Sequence, residues 1–145
     1  MKRHEAFDEQ LATQVLFEGL PNRTMREVER LFTPVDLAPG TVITREGRAP
    51  SQLVLVVDGT VAISAGERLV TTRGPGDHLG EISLLANRPQ TATAFALDHV
   101  HGYVASRREF AELLTLAPQV EQRFWASTAR RLAELRTVDA SSQVA

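Results

Sequence analysis

Between Pro34 and Ala105 the chain is cut by turns every several residues, a spacing suited to short strands. The turns are Pro39-Gly40, Glu46-Gly47, Asp58-Gly59, Ala65-Gly66 and Gly74-Pro75-Gly76-Asp77. Proline presets φ and glycine tolerates positive φ, which is what tight turns require. Between the turns the apolar period is two, in β-branched runs at Thr41–Thr44, Leu53–Val57, Val61–Ser64 and Leu69–Thr72, followed by Thr91–Leu97 and His99–Ala105. Many short strands with tight turns predict a roll, barrel or sandwich. The run Leu53-Val54-Leu55-Val56-Val57 is apolar at every position, so both of its faces are predicted to be covered.

Helical periodicity flanks this region on both sides. Phe7, Leu11 and Val15 recur at i, i+4 with Leu16 beside them, before a break at Gly19-Leu20-Pro21. Thr24 and Glu27 match a capping box that opens a second helix with Met25, Val28, Leu31 and Phe32 as its apolar face. Ser106 and Glu109 repeat the pattern ahead of Phe110, Leu113 and Leu114. Pro118 suits the first turn of a last helix running to about Arg136. Its broad apolar side carries Val120, Phe124, Trp125, Thr128, Leu132 and Leu135, with Arg123, Arg130, Arg131 and Arg136 mainly off it. That side reads as core, and also as a dimer seam or a ligand lid, with Trp125 and Thr128 as the lid residues. The domain is expected over residues 7–136, with residues 137–145 as a frayed tail.

Composition narrows the function classes. At 145 residues the chain suffices for one self-sufficient core, and its 43% hydrophobic and 23% charged content is that of a globular protein. A formal net charge of −2 provides no global field for nucleic acid. The absence of cysteine removes disulfides, thiolate metal sites and cysteine nucleophiles, and fits a reducing compartment. No apolar run approaches the ~20 residues of a membrane span, and MKRHEAFDEQ lacks the apolar stretch of a secretory signal. A cytoplasmic protein that touches neither membrane nor nucleic acid directly is expected. Ser106 and Thr24 have capping explanations, Asp58-Gly59 is turn chemistry, and no Ser-His-Asp spacing suggests a hydrolase.

The strand series is interrupted at Gly80-Glu81-Ile82-Ser83-Leu84-Leu85, flanked by Gly76-Asp77 and Pro89. This reads as a short helix inserted between two strands. A helix start entered through glycine offers unpaired N–H groups and a positive dipole end, which suits a phosphate. An ionised Glu81 only accepts hydrogen bonds and so suits ribose hydroxyls, while Thr91 and Thr93 bring hydroxyls from the returning strand.

Gly76-Asp77-His78-Leu79-Gly80-Glu81 resembles the G-D-x-(F/L)-G-E of the cyclic-nucleotide-binding domain family, and Pro89-Gln90-Thr91-Ala92-Thr93 resembles its P-R-(S/T)-A-T with one change. The resemblance extends over roughly residues 10 to 136. It implies a mainly β fold with flanking helices: a jelly-roll-like β-roll with N-terminal helices and a long C-terminal helix. It implies a ligand site at Leu79, Gly80, Glu81, Ile82, Ser83, Arg88, Gln90, Thr91, Ala92 and Thr93, and no catalytic or metal residue. Glu81 matches the position that holds the ribose 2′-hydroxyl, Gly80 with the Ile82 and Ser83 backbone matches the amides around sugar and phosphate, and Thr91 matches a residue touching the phosphate. Gln90 stands where the family has arginine. An amide lacks the charge and the bidentate fork of a guanidinium. Gln90 is either a surface amide or a ligand contact, and Arg88 is a candidate substitute.

His99 and His101 sit at i, i+2 on one strand, a metal-ligand spacing, but the sequence offers no clear third ligand, since His78 lies in another turn and Glu109 beyond the strand. Val100 and Val104 take the opposite face, so His99, His101 and Tyr103 are predicted to face outward. The leading reading is a non-catalytic regulatory domain that binds a cyclic nucleotide or related small phosphate ligand in the Gly80–Thr93 cassette. It would signal through its last helix to a separate effector protein or a homodimer mate, since no output domain fits outside residues 7–136. The alternatives are a degenerate scaffold that binds no nucleotide and a cupin-like metal enzyme.

Overall fold

The computed structural model describes residue 11, residues 14–127, and residues 129, 130 and 133. The first helix expected around Phe7, the tail 137–145 and Thr128 lie outside these residues. A 3-10 turn at Val15–Phe17 leads into helix α1 (Asn22–Glu29). Strands β1 (Thr33–Leu37), β2 (Val42–Thr44), β3 (Gln52–Asp58), β4 (Val61–Ala65), β5 (Arg68–Arg73) and β6 (His78–Leu79) follow. Helix α2 (Glu81–Ala86), β7 (Thr93–Ala96), β8 (Val100–Ser106), α3 (Arg107–Leu116) and a helix α4 over 118–127 complete the order.

All pairings are antiparallel, in two four-stranded sheets ordered β1-β8-β3-β6 and β2-β7-β4-β5. Strand β3 lies inside its sheet, and its alternate residues feed two cores. Val54 and Val56 join Val61, Ile63, Leu79, Ala94, Ala96 and Val100 in one apolar cluster. Leu53 and Leu55 join Tyr103, Ala105, Phe110, Leu113, Val120 and Phe124 in the other, with Met25, Val28 and Phe32. The all-apolar run is thus covered on both faces, as its composition requires. Each fully buried leucine or valine contributes about 1.5–3 kcal/mol, so this strand carries a large share of the driving force.

Three expectations are corrected. The second helix starts at Asn22 after Pro21, and Thr24 lies inside it rather than capping it. Proline at the boundary fixes φ and leaves the first turn to begin without a side-chain cap. Tyr103 is 1% exposed, not outward, because β8 has neighbours on both sides and helices over the face that Tyr103 shares with Leu53 and Leu55. On α4, Val120 and Phe124 are buried but Trp125 is 44% exposed, so the tryptophan lies off the packed side. The capping box at Ser106 and Glu109 is present in both directions, with Ser106 Oγ accepting from the Glu109 N–H at 3.1 Å and Glu109 Oε1 from the Ser106 N–H at 2.8 Å.

Candidate functional site

Strand β6 delivers the chain to Gly80, where φ is +94° and a Cβ would stand 2.3 Å from the Gln52 carbonyl oxygen. Only glycine allows this close left-handed turn, and it directs α2 away from the sheet. At the other end Asn87 closes the helix with φ +50°, a conformation asparagine tolerates better than most residues. Between these two points the helix forms one wall of an open cleft with a cavity volume of about 50 Å³.

Leu79, Gly80, Glu81, Ile82, Gln90, Thr91 and Ala92 all line this cleft, so seven of the expected ligand residues meet around one space. Ser83 lies behind the wall, fully buried, and its Oγ donates to Gln90 Oε1 at 3.0 Å. Gln90 is therefore not a loose surface amide: it is 9% exposed, and its backbone N–H donates to the Arg48 carbonyl at 2.7 Å. Arg88 and Thr93 are not brought to the cleft. Arg88 is exposed and tied by its backbone to the Ser83 carbonyl, while Thr93 Oγ1 accepts from the Glu46 N–H at 3.0 Å. Trp125 does not line the cleft either.

Glu81 is 0% exposed toward bulk solvent. Its Oε2 lies 3.2 Å from His78 Nδ1, which is ion-pair distance without hydrogen-bond alignment. A buried carboxylate demands compensation worth several kcal/mol, so the i, i+3 imidazole is an electrostatic neighbour of consequence. The same His78 ring packs edge-on against Phe124 of α4 with centroids 5.0 Å apart, and Phe124 packs against Phe110 at 5.3 Å. Helix α4 is further tied to the N-terminal turn by Arg123, whose guanidinium donates to the Leu16 carbonyl at 2.7 Å.

The sequence reading missed Arg73 and the apolar lining at Ile63, Val70 and Ala94. The β4–β5 register shifts so that Ile63 faces Thr71 and Ser64 faces Leu69, leaving Val70 as the extra residue of a bulge. A bulge resets the alternation, so Val70 and Arg73 reach one face although they are three apart. Strict period-two counting separates them. Arg73 is among the residues that line a cleft whose expected arginine position holds an amide.

A β-roll with a short helix set into one wall of a cleft is the architecture of a regulatory domain rather than of a catalytic one in the family that this chain matches. The family model described as the cyclic nucleotide-binding domain matches residues 34–116, and the chain belongs to that family. It is 27% identical over 130 residues to the CRP-like cAMP-activated global transcriptional regulator of Mycobacterium tuberculosis, covering 86% of this chain and 58% of that protein. It is 32% identical over 110 residues to the acetyltransferase Pat of Mycolicibacterium smegmatis, covering 73% of this chain and 33% of that protein. Among solved structures, cAMP-bound PfPKA-R (141-441) superposes with a TM-score of 0.84 at 21% identity, over 95% of this chain and 48% of that one, which establishes the shared fold. The chain thus spans little more than half the length of the first of these relatives and a third of the second. Domains of this family are regulatory and generally not themselves catalytic. Among the described residues, no helix is long and apolar enough to cross a membrane.

Proposed function

We propose that this domain binds a cyclic nucleotide in the cleft beside α2 and reports occupancy through α4, without catalysing a reaction itself. The observation that carries the reading is the convergence of Gly80, Glu81, Gln90, Thr91 and Arg73 on one cleft. Glu81 accepts from a ribose hydroxyl, Thr91 donates to a phosphate oxygen, and Gln90 offers its amide N–H. Arg73 supplies the positive charge that Gln90 lacks. His78 is the mechanical link. It touches Glu81 on one side and Phe124 on the other, so a ribose that draws Glu81 toward itself changes what the imidazole packs against. Helix α4 then shifts relative to the roll, and its exposed face, where Trp125 sits, is what a separate effector protein or a second copy reads.

One observation favours a second reading. The Ser83–Gln90 hydrogen bond closes the helix wall onto the strand side at the point where the family's arginine would stand. In that reading the domain is a scaffold for protein contact and binds no cyclic nucleotide.

Calorimetric titration with cyclic AMP and cyclic GMP decides between them, with emission from Trp125, the single tryptophan, as a second readout. Binding is expected with saturable heat and a change in Trp125 emission. In His78→Asn the heat should remain while the emission change shrinks, because the link to Phe124 is cut. Absence of both signals at millimolar nucleotide refutes the sensor reading and favours the scaffold.

A further inference from the structure

His101 of β8 and His99, which stands immediately before that strand, gain a third partner that the sequence did not reveal. In the antiparallel β1–β8 pair, Asp36 stands directly opposite His101. Directly opposed residues project to the same side, so Asp36 and His101 share one face, and His99, just ahead of β8, sets its ring beside them. The Asp36 carboxylate meets His101 Nδ1. The His99 and His101 rings lie with centroids 4.8 Å apart and planes inclined by 30°. One ligand atom from each of the three residues lies within 4.8 Å of the others.

We propose that Asp36, His99 and His101 form a binding site for a divalent transition-metal ion, Zn²⁺ above all, on the outer end of the first sheet. Bonds of about 2.0–2.2 Å to imidazole and carboxylate place ligand atoms about 3.3 Å apart in a tetrahedron, so closure needs only rotations of exposed side chains. Two imidazoles and one carboxylate select Zn²⁺, Ni²⁺ or Cu²⁺ over the hard Ca²⁺ and Mg²⁺. The side chains of His101 and Asp36 are 33% and 41% exposed, so a hydrated ion reaches them and the fourth position stays open to water.

The backbone beneath the site is fixed. A Cβ on Gly59 would stand 2.4 Å from the His99 carbonyl oxygen, so the β3–β4 turn presses directly on His99. The Thr60 N–H donates to Asp98 Oδ1 at 2.7 Å, which pins the residue before it. Two of the ligands therefore come from hydrogen-bonded strands and the third from the residue just before β8, and none of them lines the cleft. The bound ion ties the edge strand β1 to β8.

The test is calorimetric titration of the chelator-treated 145-residue chain with ZnCl₂, paired with thermal unfolding with and without the metal. One equivalent should bind, and the unfolding temperature should rise with free Zn²⁺. His99→Asn removes one ligand while leaving the Asp36–His101 contact in place, so it should weaken Zn²⁺ at least tenfold without lowering the metal-free unfolding temperature. Asp36→Asn should weaken it similarly. Cobalt(II) should give the intense visible absorption of a tetrahedral site, lost in His99→Asn. Absence of Zn²⁺ heat overturns the proposal, and so does heat that survives His99→Asn with His101→Asn, which would place the ion elsewhere, for instance at His4. In either case the Asp36–His101 contact is a simple hydrogen-bonded pair.

Discussion

Replacing Gln90 with arginine sets two local energies against each other, and they are read by different instruments. A guanidinium at this position adds a charge-assisted hydrogen bond to a cyclic phosphate, worth about 1.5–3 kcal/mol. At about 1.4 kcal/mol per decade this tightens cyclic AMP or cyclic GMP binding by roughly one to two orders of magnitude. The same change removes the acceptor of Ser83 Oγ, a hydroxyl on a fully buried residue. Leaving that group unsatisfied costs about 1–3 kcal/mol in the free and the bound protein alike, so it lowers stability rather than affinity. For a domain of this size each kcal/mol shifts Tm by roughly 3 °C, which predicts a fall of about 3–9 °C for the ligand-free variant. Calorimetry reads the first effect and scanning fluorimetry without nucleotide reads the second. A lowered Tm with unchanged Kd would refute the assignment of position 90 to the phosphate, and would leave the counter-charge to Arg73.

Arg73→Met should weaken nucleotide binding by tenfold or more, and the loss should be smaller in high salt, where the Coulombic part is already screened; titrations at two ionic strengths check this. Gly80→Ala should destabilise the domain by at least ~2 kcal/mol in denaturant unfolding, because the left-handed φ and the overlap with the Gln52 carbonyl act together. Ser106→Ala should cost about 1 kcal/mol in the same assay by opening the cap of α3, with no change in nucleotide affinity.

What could be read from the sequence was whatever has a local cause. Turn glycines, β-branched runs and the Ser106–Glu109 box act within a few residues, and the strands they predict are present to within about a residue or two. Two strands left too weak a local signal. Strand β1 contains Pro34 and Asp36, which an edge strand accepts and a central one does not, and β6 is two residues inside a turn motif. The cleft shows the same division. Gly80, Glu81 and Thr91 were legible from the chemistry of a glycine-entered helix and a returning strand, and Gln90 from the family resemblance, whereas Arg73 depends on a bulge at Val70 and Asp36 on pairing across 65 positions. The burial of Tyr103 depended on helices covering a sheet face, which alternation within one strand does not encode.

The order of the strands also governs how the chain is made. Among the described residues strand β1 bonds only to β8, and β2 only to β7, so the earliest strands synthesised wait for the last two. The second sheet lacks its central β7 until residue 96 has left the ribosome, and until β8 follows Thr33–Leu37 has no partner for its backbone. Pairings of such long sequence separation close slowly, since the loop entropy is lost before any contact rewards it. A nascent chain stalled anywhere in the β4–β5 hairpin therefore presents an apolar β3 with neither β8 nor β6 beside it. That intermediate is the stage at which this domain would need a chaperone, and any expression fragment ending before Ser106 should aggregate rather than fold.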